Sequence, residues 1–139
     1  MSAKILVIDD EEEVINFAAY YLGNTDFEII SAQTGVSGLH AARRHLPDII
    51  LLDLSLPDID GFHVCEILRK QPSTAKIQIV LVTAMAGEIA QSNVVVSGAD
   101  HFLTKPFSRE DLTACVEEAL RAREARLETE GAAPEYARA

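Results

Sequence analysis

The chain of 139 residues carries 22 acidic against 12 basic side chains, a formal charge of −10, and 48% of it is hydrophobic. That length suits one domain with one core, and the acidic balance argues against direct nucleic acid binding, which wants a basic face. No apolar run reaches the roughly 20 residues of a bilayer span, and Met1-Ser2-Ala3-Lys4 lacks the layout of a signal peptide. The chain is therefore expected to be cytoplasmic, with no membrane partner. Cys65 and Cys115 sit among apolar residues at helical spacing and are expected as reduced core positions. His40, His45, His63 and His101 are too scattered for a zinc site.

Residues 4–8 predict a short strand that runs into Asp9-Asp10-Glu11-Glu12-Glu13, whose carboxylates favour a helix start through its dipole. Val14, Phe17, Ala18, Tyr21 and Leu22 follow a helical period that stops at Gly23. A second strand is predicted over 28–32 and a second helix over 36–44, with Pro47 at its exit. Ile49-Ile50-Leu51-Leu52-Asp53 reads as a strand buried on both faces, because a half-exposed strand would alternate with polar residues. Pro57, Asp58 and Asp60 signal a loop, and Gly61 opens a third helix with Phe62, Cys65 and Leu68 inward. The fourth strand covers 77–82 and ends at Thr83; a helix over 86–97 is closed by Gly98. A fifth strand over 101–104 ends at Lys105-Pro106. Ser108 and Asp111 mark a capped start for the last helix, with Phe107 stapled onto Leu112. Its core stripe is Leu112, Cys115, Val116, Ala119 and Leu120. Past Leu127 little remains to bury, and the tail is read as frayed or disordered.

Strands alternating with helices predict an α/β fold: a single (βα)5 doubly wound parallel sheet in three α/β/α layers, joined by right-handed crossovers. No period of repeating units is present. In a parallel sheet every strand exits on the same edge. That edge collects Asp9 and Asp10 from the first strand, Asp53 from the third, Thr83 from the fourth and Lys105 from the fifth. With strand order 2-1-3-4-5, the first and third strands are neighbours at the switch point where such sheets bind ligands. Three converging carboxylates repel, which raises their pKa values or demands a cation. Oxygen-only ligands suit Mg²⁺, which favours one or two carboxylates plus phosphate oxygens. An aspartate beside such a metal can take a phosphoryl group, with a lysine and a hydroxyl neutralising its equatorial oxygens. Taken singly, Asp9 and Asp10 read as helix caps and Lys105 as a solvated surface residue. Their joint placement at successive strand exits is what singles them out.

Over about residues 4–120 the chain resembles a receiver domain of the two-component response-regulator family. The residues that carry the likeness are Val7-Ile8-Asp9-Asp10, the run from Leu52-Asp53-Leu54 through Ser55-Leu56-Pro57-Asp58-Ile59-Asp60-Gly61, Val82-Thr83-Ala84, and Gly98-Ala99-Asp100 followed by Phe102-Leu103-Thr104-Lys105-Pro106-Phe107. The resemblance implies phosphorylation of Asp53 by a histidine kinase or histidine phosphotransfer protein. It implies direct Mg²⁺ ligation by Asp10, Asp53 and the Ser55 backbone carbonyl, with Asp9 acting through water. Thr83 and Lys105 would bind phosphoryl oxygens, Thr83 and Phe102 would form the switch, and Lys105-Pro106 would be cis. Residues 1–122 are read as the receiver and 123–139 as a helical extension and tail.

A flavodoxin-like nucleotide binder would need Gly, Ser or Thr after the first strand to cradle a phosphate, where this chain has five acids. A haloacid-dehalogenase-like phosphatase would carry a second Asp two residues after the first, where this chain has Ser55. The expected role is thus a signalling phospho-acceptor and not a dedicated enzyme. The resemblance implies that the residues two places after the phospho-acceptor and two places after the Thr govern water access to the aspartyl phosphate. Here they are Ser55 and Met85, neither an acid nor an amide, so autodephosphorylation is expected to be slow to intermediate. The output face is expected on helix 86–97, the fifth strand and the last helix. Helix 86–97 contains no Lys or Arg but does contain Ile89 and Val94-Val95-Val96, which predicts an exposed Val96 and an apolar docking patch. The partner is a downstream protein or an output domain, and the chain a monomer or weak homodimer.

Overall fold

In the computed structural model, residues 3–23, 26–84 and 98–131 are described. Five parallel strands form one sheet in the order β2-β1-β3-β4-β5. They are β1 (Ala3–Ile8), β2 (Phe27–Ala32), β3 (Ile49–Asp53), β4 (Gln78–Thr83) and β5 (His101–Thr104). The helices among the described residues are α1 (Glu12–Leu22), α2 (Gly35–His45), α3 (Gly61–Lys70) and α4 (Arg109–Gly131). The predicted fold class and strand order are those observed. The helix expected over 86–97, with Met85, Ile89 and Val96, lies outside the described residues, as does the tail from 132.

Side-chain alternation along the strands builds two cores from one sheet. Leu6, Ile8, Ile50, Leu52, Ile79 and Leu81 face α2 and α3 and pack on Leu39, Ala42, Val64, Cys65 and Leu68. Ile5, Val7, Ile49, Leu51, Val80, Val82 and Leu103 face α1 and α4 and pack on Ala18, Leu22, Leu112, Val116 and Ala119. The central strands β1, β3 and β4 are therefore apolar throughout, because neither face meets water. Phe62, expected inward, is only half-buried, and Val64 takes the deeper place. Phe62 still packs on the rim of this core, while Gly61 abuts the backbone of Asp53 and Leu54 and lets the first turn of α3 press against the loop. Ser108 and Asp111 form the expected reciprocal cap of α4 (3.0 and 3.2 Å). Cys65 and Cys115 are free, the first buried and the second half-buried. Burial, with a further push from Glu118, raises the Cys115 thiol to about 11, so it is an inert packing residue at neutral pH.

The edge where strands begin is tied by charge. Asp48 accepts the Lys4 N–H (2.7 Å) and pairs with Arg123 of α4 (2.8 Å). Arg69, near the end of α3, donates to the carbonyls of Gly98 (2.8 Å), Ala75 (2.9 Å) and Ile77 (2.6 Å) and pairs with Asp100 at 2.6 Å. Asp100 also accepts the Ile79 N–H (2.9 Å). Arg126 donates to the Lys76 carbonyl (3.0 Å). The inward stripe of α4 thus changes from Leu112, Val116 and Ala119 to Arg123 and Arg126 where the helix passes the sheet, and the helix continues to Gly131 with carboxylates and carbonyls as partners.

Arg69 satisfies three carbonyls and one half-buried carboxylate. Its replacement by Met, which keeps the aliphatic stem, is expected to cost roughly 3 kcal/mol through those stranded acceptors. Arg123→Ala, which breaks one more exposed pair, is expected to cost under about 1 kcal/mol. Urea unfolding midpoints at constant slope check both.

Candidate functional site

Asp9 follows β1 directly, and its N–H still bonds the Ala32 carbonyl (3.0 Å), so it stands at the level where the sheet ends. One carboxylate oxygen, Oδ1, accepts the Glu11 N–H (2.9 Å) and turns the chain toward α1. The other, Oδ2, faces the Lys105 ammonium at 3.1 Å. Asp53, the last residue of β3, lies level with Val82 of β4. Its Oδ1 accepts the Ser55 N–H (3.2 Å), leaving Oδ2 3.7 Å from Lys105 Nζ. Asp9 and Asp53 are 1% and 3% exposed, whereas Asp10 is exposed at the rim. Each of the three offers one oxygen to a cluster in which all such atoms lie within 4.8 Å of one another.

Thr83 ends β4 and is buried, and its carbonyl accepts the Lys105 N–H at 2.8 Å, tying the fifth strand's exit to the fourth's. The Lys105–Pro106 peptide is cis. Lys105 Nζ also reaches Glu11 Oε1 at 3.2 Å, a partner that sequence reading did not single out. Ser55 is exposed at the mouth of the site. Phe102 is half-buried on β5, packed against the core between the sheet and α2–α3. It also lines an open cleft of about 650 Å³ with Thr104, Cys115 and Glu118. Phe102 is thus not part of the charged cluster. A second cleft, of about 410 Å³, opens beside Lys105 between Val14 and Phe17 of α1 and Pro106 and Phe107.

The electrostatics follow from burial and crowding. Burial raises the Asp53 pKa above its ordinary value, and the Asp9 charge adds to it; the Ser55 N–H and Lys105 offset part. For Lys105, burial alone would lower the pKa. The hydrogen bond to Asp9 and the charges of Asp53 and Asp9 outweigh it, and the net shift is upward, so this ammonium is firmly protonated at neutral pH. Three carboxylates, of Asp9, Glu11 and Asp53, thus crowd one ammonium, and the Asp9–Asp10–Asp53 cluster is a hard-oxygen donor set of the kind that Mg²⁺ selects. Gly61 keeps the arrangement compact: a Cβ there would lie 2.7 Å from Leu54 Cα and nearer still to the Asp53 carbonyl oxygen.

Residues 5–117 match the response regulator receiver domain model. The response regulator PleD of Caulobacter vibrioides is 44% identical over 106 residues, which cover 76% of this chain and 23% of that protein. The alkaline phosphatase synthesis transcriptional regulatory protein PhoP of Bacillus subtilis is 38% identical over 121 residues, covering 87% of this chain and 50% of that protein. Among solved structures, a response regulator receiver domain protein from Methanospirillum hungatei JF-1 superposes with a TM-score of 0.83 at 25% identity, over 91% of this chain and 99% of that one. The chain belongs to the response regulator receiver domain family, whose members act in two-component signalling. It spans half or less of the length of these two curated relatives.

Because the folded state raises the Asp53 pKa, ionised Asp53 costs stability at all pH values above its folded pKa. Asp53→Asn is therefore expected to raise the melting temperature of metal-free protein at pH 7 by several degrees. The gain should shrink as pH falls through the folded pKa and vanish below the unfolded value of about 3.9. Asp10→Asn should gain less, since Asp10 is exposed and the smallest named contributor to the Asp53 shift. Thermal melts from pH 3 to 8 in chelator check the order and the sign.

Proposed function

We propose that this chain accepts a phosphoryl group on Asp53 from a phosphorylated histidine of a kinase or phosphotransfer protein, with Mg²⁺ required. The observation that carries the reading is the buried Asp53 carboxylate, with one oxygen held by Ser55 N–H and the other turned toward Lys105 and the acidic cluster. Asp10, Asp53 and the Ser55 carbonyl would hold the metal, with Asp9 acting through water. When bound, Mg²⁺ supplies positive charge against the phosphoryl oxygens. The free Asp53 oxygen attacks phosphorus as the P–N bond to imidazole breaks and its electron pair goes to the ring nitrogen. Lys105 and Thr83 then hold the equatorial oxygens. Later attack by water at phosphorus releases inorganic phosphate and restores the carboxylate.

The apolar cleft beside Lys105 supports donor entry from the side of α1, since it lets an apolar partner surface exclude water next to Asp53. Thr83 adjoins β5 through its carbonyl, which supports a path from the modified aspartate to Phe102 and the face of β5 and α4. That face would act on a downstream protein or output domain, as a population shift between two states. On this reading residues 1–122 are the receiver unit, working in the cytoplasm. Among the described residues no helix is long and apolar enough to cross a membrane.

Incubation with acetyl phosphate and Mg²⁺, followed by borohydride trapping and peptide mass analysis, should mark Asp53 alone. Chelator should abolish the mark, Asp53→Asn should lack it, and Lys105→Ala should slow labelling about a hundredfold. Labelling at another residue, or labelling indifferent to Mg²⁺, refutes the proposal.

A further inference from the structure

The loop between β3 and α3, residues 54–60, carries Ser55 and follows Asp53, yet it contains no regular structure of its own. Its near and far ends are tied by Gly61 N–H to the Leu54 carbonyl (3.1 Å) and by Asp60, whose side chain accepts the Phe62 N–H and caps α3 (2.7 Å). The middle is held differently. Asp58 reaches across to another helix: its Oδ1 accepts the Gly35 N–H at 2.7 Å and its Oδ2 the Val36 N–H at 3.0 Å, the first two amides of α2. Thr34 caps the same helix end but takes a different amide, that of Ser37 (3.0 Å), within a capping box built from α2's own residues. The helix end thus has two independent caps, one local and one supplied by the loop beside Asp53.

The junction is shaped for this contact. A Cβ at Gly35 would lie 3.0 Å from Ile59 Cβ, 3.2 Å from Asp58 Oδ1 and 3.2 Å from Val64, so any larger residue would press the loop back by a few tenths of an ångström. Both carboxylate oxygens of Asp58 are engaged by N–H groups at a helix N-terminus, where the dipole favours negative charge. Those bonds hold the Asp58 pKa below its ordinary value although the side chain is exposed. Between Ser55 and Asp58 stand only Leu56, which packs against the core, and Pro57, whose ring fixes its own φ. A clamp at Asp58 therefore reaches Ser55 through only two residues, one of fixed φ and one packed on the core.

We infer that Asp58 is a positioning residue of the Asp53 site: by clamping the β3–α3 loop to the start of α2, it holds Ser55 in place to complete the cation site. The inference rests on the Mg²⁺-dependent reading of that site given above. The Asp58 carboxylate bonds the start of α2 and not the cluster or Lys105, so it acts through the loop.

Three variants separate positioning from mere support of α2. Asp58→Ala removes both acceptors, Asp58→Asn keeps one, and Thr34→Ala removes the local cap without touching the loop. Mg²⁺ affinity, measured by calorimetry, is expected to fall about tenfold in Asp58→Ala, the size typical of losing a partner behind a metal ligand. Asp58→Asn should recover part of it, and Thr34→Ala should bind Mg²⁺ as the wild type does. In metal-free protein, amide hydrogen exchange should quicken at Gly35 in both alanine variants but at Ser55 only in Asp58→Ala. Wild-type Mg²⁺ affinity in Asp58→Ala, or an equal loss in Thr34→Ala, overturns the inference and leaves the reading of the site intact. Absence of Mg²⁺ binding in the wild type overturns both.

Discussion

The Lys105 ammonium stands 3.1 Å from Asp9, 3.2 Å from Glu11 and 3.7 Å from Asp53, and the carboxyl edge of the sheet is organised around it. Parallel strands all exit on that edge, so any acid that ends a strand is brought toward the others, and burial strengthens their repulsion. A single cation inserted among them offsets that repulsion without removing it, which is why Asp53 keeps a raised pKa even with Lys105 beside it. The residual negative field is one that a bound divalent cation would relieve. A receiver site is in this sense an unfinished ion cluster, and its chemistry follows from what would complete it.

The same sheet sets the geometry that the cluster needs. Ile5, Val7, Ile49, Leu51 and Leu103 belong to one core, and Asp9, Asp53 and Lys105 continue that alternation one step past the last apolar residue of β1, β3 and β5. These three side chains therefore leave the sheet with the same phase, a property of period-two strands, whereas Thr83 continues the opposite face, that of Ile79 and Leu81. The apolar core beneath holds their backbones at fixed level, and Asp53 aligned with Val82 is one result.

The opposite edge uses charge for a different end. Arg69, Asp100, Asp48, Arg123 and Arg126 tie strand starts to α3 and α4 with mutually satisfied pairs. Among the described residues no buried side-chain nitrogen or oxygen lacks a partner, as expected of a settled fold. One edge is thus electrostatically closed and the other strained by like charge. On the proposed reading, function belongs to the strained edge, where a new ligand would relieve an existing cost.

Much was legible in the sequence alone. Strand runs such as Ile49-Ile50-Leu51-Leu52, the placing of acids and lysine at strand exits, and the Ser108–Asp111 cap are local patterns whose physical causes lie within a few residues. They determined the fold class, the strand order by resemblance, and that the acids and the lysine at the strand exits come together. The tertiary structure alone decided how they meet. Glu11 lies 94 residues from Lys105, Asp58 lies 23 from Gly35, and Arg69 lies 31 from Asp100. No periodicity links such pairs, so Asp58 read as a turn residue and Arg69 drew no notice. Arg123 and Arg126 likewise read as an extension beyond the core, although the carboxylate and carbonyls at the strand starts hold them. A local pattern records which face a residue takes; its partner across the sheet is set by how twisted strands and helices close on one another, and that is written only in three dimensions.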